Sequence, residues 1–199
     1  MKVKCSLIFI LLLSLVCCKQ QEKKRRLQLN KFTYCEYAWR LNDSTNTFEF
    51  YIDKYLDVDT NGLCRMMHHE KYWGNHPQYF KVTLNSAQLS LINSLFSNKE
   101  YKEFYLNDSL MMYDGLSYHI EYLSSENEIH KIEFLPMFAP DDILNAKSGI
   151  ENIIFGYPKD TCKPFDLKEF TDSMKAYSLK GHPLPSPPKT IRIVEPIIK

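Results

Sequence analysis

The sequence predicts an α+β fold: an antiparallel sheet of about six strands with about three helices packed on it, in a single domain. Several stretches between residues 32 and 135 alternate apolar and polar side chains with period two, the spacing of strands with one buried face. Three others, beginning near Asn85, Pro140 and Asp166, carry apolar residues at helical spacing behind residues that cap helices. Beyond the N-terminal apolar run and the polar stretch that follows it remain about 170 residues, a length that buries one hydrophobic core, and no repeat or second domain is visible in them.

In the stretch 32–41, Cys35, Tyr37, Trp39 and Leu41 fall on one side of a strand. After a turn at 42–46, Phe48, Phe50 and Ile52 repeat with period two, so 47–56 is a second strand hairpinned to the first. A third strand is expected at 63–72 and a fourth at 79–84, where Phe80, Val82 and Leu84 share a face. Four strands in succession suggest an antiparallel meander. Asn85-Ser86-Ala87-Gln88 has the form of a capping box, and Leu91, Ile92, Leu95 and Phe96 follow at helical spacing, giving a helix of 11 to 13 residues. Within 99–114 only the part 100–105 has a pattern, a helical one. Strands return at 117–124, with Tyr118, Ile120 and Tyr122 on one face, and at 128–135, with Ile132 and Phe134 aligned; the turn at 124–127 joins them.

Pro140 followed by Asp141 and Asp142 opens a further helix, since proline fits the first turn and acids complement the positive helix end. Ile143, Ala146, Ile150, Ile153 and Ile154 form its apolar stripe, and Gly156 and Pro158 end it. The last helix spans 166–179, with Asp166 and Glu169 at its start and Leu167, Phe170, Met174 and Tyr177 as its buried face. The composition then shifts: 181–199 is a proline-rich tail, in which Thr190-Ile191-Arg192-Ile193-Val194 is either a short edge strand or a segment that adds to a partner's sheet.

The N-terminus reads differently. Lys2 and Lys4 precede an almost unbroken apolar run at 7–16, of signal-peptide length and short of the roughly 20 residues of a spanning helix. The run ends in Leu15-Val16-Cys17-Cys18, which resembles the lipobox of bacterial lipoproteins, departing from it in Cys17 where a smaller residue is usual. The resemblance implies a signal peptide over 1–17, lipid attachment at Cys18, a lipidated polar tether over 18–29 containing Lys23-Lys24-Arg25-Arg26, and a globular domain over 30–180. Several acyl chains at ~0.8 kcal/mol per buried methylene hold a domain at a bilayer without a protein span, and the basic run is attracted to anionic headgroups. By resemblance to sorting rules, Lys19 after Cys18 implies the outer membrane facing the periplasm.

Residues 27–199 hold 18 basic and 23 acidic side chains, a balance that excludes nucleic acid as a partner, because phosphates require a basic face. Export places Cys35, Cys64 and Cys162 in an oxidising compartment, where one disulfide and one spare thiol are expected. Cys35–Cys64 is the preferred pair, since each lies on the more apolar face of its strand; three free, buried thiols are the alternative. No zinc-type Cys/His spacing occurs, and no metal or cofactor is expected.

Asp57-Val58-Asp59-Thr60-Asn61-Gly62 matches half of a calcium loop, but the position of its bidentate glutamate is His68, and a turn built on Asn61-Gly62 explains the same residues. His68, His69, Glu70 and His76 cluster in sequence, yet adjacent histidines on a strand point to opposite faces, and the spacing is not H-E-x-x-H. There is no G-x-S-x-G elbow and no phosphate-binding glycine loop.

Tyr113-Asp114-Gly115, the hairpin at 117–135 and Phe138-Ala139-Pro140 together resemble small domains of unknown function in exported lipoproteins of Bacteroidota, which carry no activity to transfer. The expectation is a membrane-anchored envelope lipoprotein, a non-catalytic module binding an envelope protein or a glycan. An envelope hydrolase whose carboxylates meet only in the fold, and an immunity or inhibitor lipoprotein against an exported toxin, are the alternatives.

Overall fold

The computed structural model describes residues 29–69, 76–96, 100–106, 115–124, 126–155, 160–181 and 183–184. They form one α+β body in which eight strands build a single sheet flanked by three helices. In chain order these are β1 (Leu29–Asn42), β2 (Thr47–Val58), β3 (Leu63–His68), β4 (Gln78–Thr83), α1 (Ser86–Phe96), β5 (Phe104–Tyr105), β6 (Ser117–Ser124), β7 (Ile129–Phe134), α2 (Asp141–Phe155), β8 (Asp160–Thr161) and α3 (Lys168–Gly181). Across the sheet the order is β5-β7-β6-β1-β2-β3-β4-β8, every neighbouring pair antiparallel except β5 with β7.

The sheet therefore has eight strands where about six were expected, and it is mixed. The additions are the two-residue strands β5 and β8 at its margins. At 100–105, where a helix was expected, the backbone is used at the edge of β7 instead: the Glu133 N–H donates to the Glu103 carbonyl (2.8 Å) and the Leu135 N–H to that of Tyr105 (3.1 Å). Edge groups left without partners are costly or sticky, which favours the extended form. The third strand stops at His68, short of the expected 72, and residues 70–75 lie outside the described part.

β1 is the spine, paired with β2 on one side and β6 on the other. Between Glu36 and Tyr37 its register with β2 slips, so that Asp53 becomes the extra residue of a bulge. Beyond this point the β1–β2 ladder continues to Asn42 opposite Thr47, whereas β6 stops at Ser117 opposite Tyr37 and β3 at His68 opposite Lys54. The hairpin thus overhangs the sheet at the end farthest from Leu29.

The two sheet faces follow from the alternation. Phe32, Tyr34, Leu56, Val58, Cys64, Met66, Ile120, Tyr122, Ile132 and Phe134 form one face with Ile92 and Phe96 of α1 and Ile143, Ala146, Ile150 and Ile153 of α2. Cys35, Tyr37, Ile52, Tyr55 and Met67 form the other with Met174 and Tyr177 of α3, and Trp39, Phe50, Tyr79, Phe165, Leu167 and Phe170 pack around them. Helices cover both faces.

The helix starts are built from the residues that signalled them. The Asn85 N–H donates to Gln88 Oε1 (2.8 Å) and the Gln88 N–H donates back to Asn85 Oδ1 (3.0 Å), a reciprocal capping box. Asp166 Oδ1 accepts the Lys168 N–H (2.8 Å) ahead of α3.

The Cys35–Cys64 pairing is not formed: both thiols are free and buried, and they sit in different cores on opposite faces. Two strands of lateral separation, at ~4.8 Å each, already exceed the reach of a disulfide, which spans Cα atoms up to about 7 Å apart. Each residue does lie on an apolar side of its strand, but this sheet has two apolar sides.

Candidate functional site

The residues singled out in the sequence do not converge. Cys18, the tether up to residue 28, Glu70 and most of the 181–199 tail lie outside the described residues, and Leu29, expected to close the tether, already belongs to β1. In the turn at 59–62, Asp59 Oδ1 accepts the backbone N–H groups of Asn61 (2.8 Å) and Leu63 (2.9 Å), and Gly62 takes φ = 80°. An Asx turn with a left-handed glycine explains this motif without an ion. Among the described residues no group of three or more His, Cys, Asp or Glu side chains is placed to hold a metal ion. His68 ends β3 and His69 follows it, its N–H donating to the carbonyl of the bulged Asp53 (2.7 Å).

The structure assembles two groups of ionisable residues instead. On the face under α2, the Tyr34 hydroxyl donates to Glu36 Oε1 (2.7 Å) and lies 3.4 Å from Glu151 Oε1, bringing two carboxylates to one phenol. Each carboxylate has its own cation: Lys54 Nζ is 2.9 Å from Glu36 Oε2, and Lys147 Nζ 2.7 Å from Glu151 Oε2. Glu36 is 1 % exposed, and burial raises its pKa despite Lys54. Lys147 holds Glu151 below the usual range against its own partial burial.

The second group lies on the opposite face, where Cys35, His119 and Glu133 stand in lateral register across β1, β6 and β7. The Tyr37 hydroxyl donates to Glu133 Oε1, and burial pushes the Glu133 carboxyl up to about 7, opposed by that hydrogen bond and assisted by the Glu103 charge. His119 is completely buried beneath the edge of the Tyr177 ring, centroids 5.2 Å apart, and its burial lowers the imidazole pKa. Glu121 lies 3.9 Å from His119 Nε2 and 2.8 Å from Lys131 Nζ; these neighbours hold its carboxyl down to about 2. Burial drives the Cys35 thiol well above its ordinary value, with the nearby carboxylates adding to the shift, so it is protonated and a poor nucleophile.

Glu121 also borders the open part of this face. Beyond the reach of α3, at the end where β1 begins, Lys31, Thr33, Glu121, Tyr122, Leu123 and Ile129 line a groove of about 240 Å³. Its lining combines apolar walls with a lysine, a threonine hydroxyl and an ionised carboxylate that Lys131 already engages. Such a lining can hold an apolar chain beside a charged head.

Neither group was legible in the sequence. His119, Glu121 and Glu133 alternate with the apolar residues of their strands, so period two assigns them to a solvent side, and only the placement of α3 buries them. The available signal was β1, where Phe32 and Tyr34 alternate with Cys35, Tyr37 and Trp39: a strand apolar on both faces needs cover on both. No protein-family model matches the chain, and no curated protein matches it.

Proposed function

We propose that this chain is a membrane-anchored envelope lipoprotein whose domain binds an envelope protein or a glycan. The observation that carries the reading is the apolar run at 7–16 ending in Leu15-Val16-Cys17-Cys18, with a basic tether between it and the first strand. Two exposed side chains support binding. Met137 and Phe138 are exposed in the turn after β7, at the same end of the sheet as the overhanging hairpin, and exposed apolar side chains held on a rigid scaffold suit recognition.

Intact-mass measurement of the protein from its producing cells tests the anchor. Diacylglycerol and an amide-linked chain on Cys18 are expected, and an unmodified thiol at that position with recovery in the cytosolic fraction overturns the reading. Pull-down of the lipidated protein from its native envelope then tests binding. A stoichiometric partner is expected, and a toxin as that partner makes the protein an immunity lipoprotein.

A hydrolytic reading draws on one observation, the meeting of Glu36 and Glu151 at the Tyr34 hydroxyl. Each carboxylate is paired with a lysine and Glu36 is buried, an arrangement that fastens α2 to the sheet equally well. Loss of a glycosidase activity of the purified domain in Glu36→Gln, with folding retained, would favour hydrolysis over binding.

A further inference from the structure

The groove lined by Lys31, Leu123 and Ile129 lies where the chain enters the domain: Leu29, the first residue of β1, is opposite Ser124, the last of β6. Ile129 is 62 % exposed at the rim of this groove, although apolar surface surrounds it on the inner side. We propose that this end of the domain rests on the bilayer to which the chain is anchored, with Ile129 inserted at the boundary of headgroups and acyl chains and Lys31 against the headgroups. The inference rests on the lipid-anchor reading and deepens it, because it says which end of the domain the membrane covers.

Chain length argues for the bilayer as the occupant. Eleven residue steps separate Cys18 from Leu29, and covalent geometry limits them to roughly 36–40 Å at full extension. β1 has 14 residues and runs roughly 43 Å from Leu29 to the overhanging hairpin. Standing the domain on its hairpin end would therefore lift Leu29 to or beyond the limit of its leash, at the loss of all the conformational freedom of those residues. The groove end meets no such limit.

The charges at this end are mixed. Glu126 and Glu128 are exposed on the turn beside the groove, Glu128 lying 3.7 Å from His130, and they oppose anionic headgroups. The run Lys23-Lys24-Arg25-Arg26 attracts the same headgroups, by about 1 kcal/mol for each residue near the surface. Docking should accordingly weaken only partly at high salt.

The test uses the lipidated full chain in vesicles of phosphatidylcholine with phosphatidylglycerol. A nitroxide label is placed by Ile129→Cys or by Met137→Cys, each in a Cys162→Ser background; Cys35 and Cys64 are buried. The label at 129 should be several-fold less accessible to a water-soluble nickel chelate than the label at 137, and more accessible to oxygen. Equal accessibility at the two positions, or protection at 137 alone, overturns the proposal. Equal protection of 129 in detergent-free solution without vesicles also overturns it, since the occupant is then a second copy or the chain's own tail. Intact mass taken on the same sample separates the two failures: a free Cys18 thiol removes the anchor, whereas a lipidated chain with an open position 129 removes the docking alone.

Discussion

The two faces of the sheet are both covered by helices, yet their most deeply buried carboxyl groups, Glu36 and Glu133, have different partners. Under α1 and α2 the carboxylates stand at the margin of an aliphatic and aromatic core, and each has a lysine within 3 Å. Under α3, Glu133 and His119 are enclosed among the aromatic rings of Tyr37, Phe104 and Tyr177. A carboxylate with a cation can remain charged where it is buried; a carboxyl whose only described hydrogen-bond partner is a phenol is driven towards its neutral form. Burial raises both Glu36 and Glu133, but Lys54 opposes the rise at Glu36 and only a phenol opposes it at Glu133, so the second core has the larger response to acidity.

The largest effect that would sharpen this contrast is in the first core. Phe96 packs on Phe32 and Tyr122, with ring centroids 5.6 and 5.0 Å away. Phe96→Ala should cost about 3–5 kcal/mol in urea unfolding, by lost burial and the cavity left behind, with nearly the same cost at every pH. A loss below about 1 kcal/mol would mean that α1 is not part of the cooperative core.

On the second face the decisive variable is pH. The Glu133 carboxyl is raised to about 7 in the folded protein, so the fold retains a proton that the unfolded chain releases near 4.5. Stability supplied by this group is complete below about 4.5 and is lost as the pH rises through about 7, by on the order of 3 kcal/mol. His119 has the opposite dependence: its lowered pKa keeps it neutral in the fold, and stability is lost as the pH falls below about 6.5, where the unfolded chain takes up the proton. Glu133→Gln preserves an acceptor for Tyr37 and removes the first dependence. Between about pH 5 and pH 8 the variant should gain on the wild type by 2–3 kcal/mol, measured by urea midpoints, and parallel curves for the two proteins would contradict the burial of a titrating Glu133.

The smallest of the three tests concerns the clamp that closes the second face. A Cβ on Gly181 would clash with Cδ1 and Cε1 of the Phe104 ring and stand 2.8 Å from Leu106 Cδ1. Phe104 stacks on Tyr177 with centroids 5.4 Å apart, so the methyl group of Gly181→Ala would push the ring from the residue that covers His119. We expect a loss of about 1–2 kcal/mol, the helical gain of alanine offsetting part of the overpacking. A variant as stable as the wild type would show that β5 and α3 yield to each other freely.

Why some of this was visible in the sequence and some was not has a physical basis. Long strands carry their period in every residue, and the caps at Asn85 and Asp166 are local hydrogen bonds that need only neighbouring residues, so both were legible. β5 and β8 are two residues each, too short for any period, and exist because an adjacent strand supplies partners. The assignment of a helix to one face or the other is a matter of tertiary placement. The stripe of Leu167, Phe170, Met174 and Tyr177 announced that α3 covers something, and nothing local says that it covers the side of β6 and β7 holding His119 and Glu133. For the same reason Cys35 and Cys64 both read as buried, while their separation by the thickness of the sheet did not.

The overhang of the β1–β2 hairpin has a mechanical consequence. Trp39, on the overhanging part of β1, donates its indole N–H to Ser178 Oγ of α3 (3.1 Å), and Tyr177, the next residue back, is the lid of the buried imidazole. The arm is thus a lever whose short end grips the helix that keeps the acid and the imidazole dry. Any movement of the arm that shifts α3 would change how tightly those two groups hold their protons, and by reciprocity a change in acidity would then act back on the arm to the same extent.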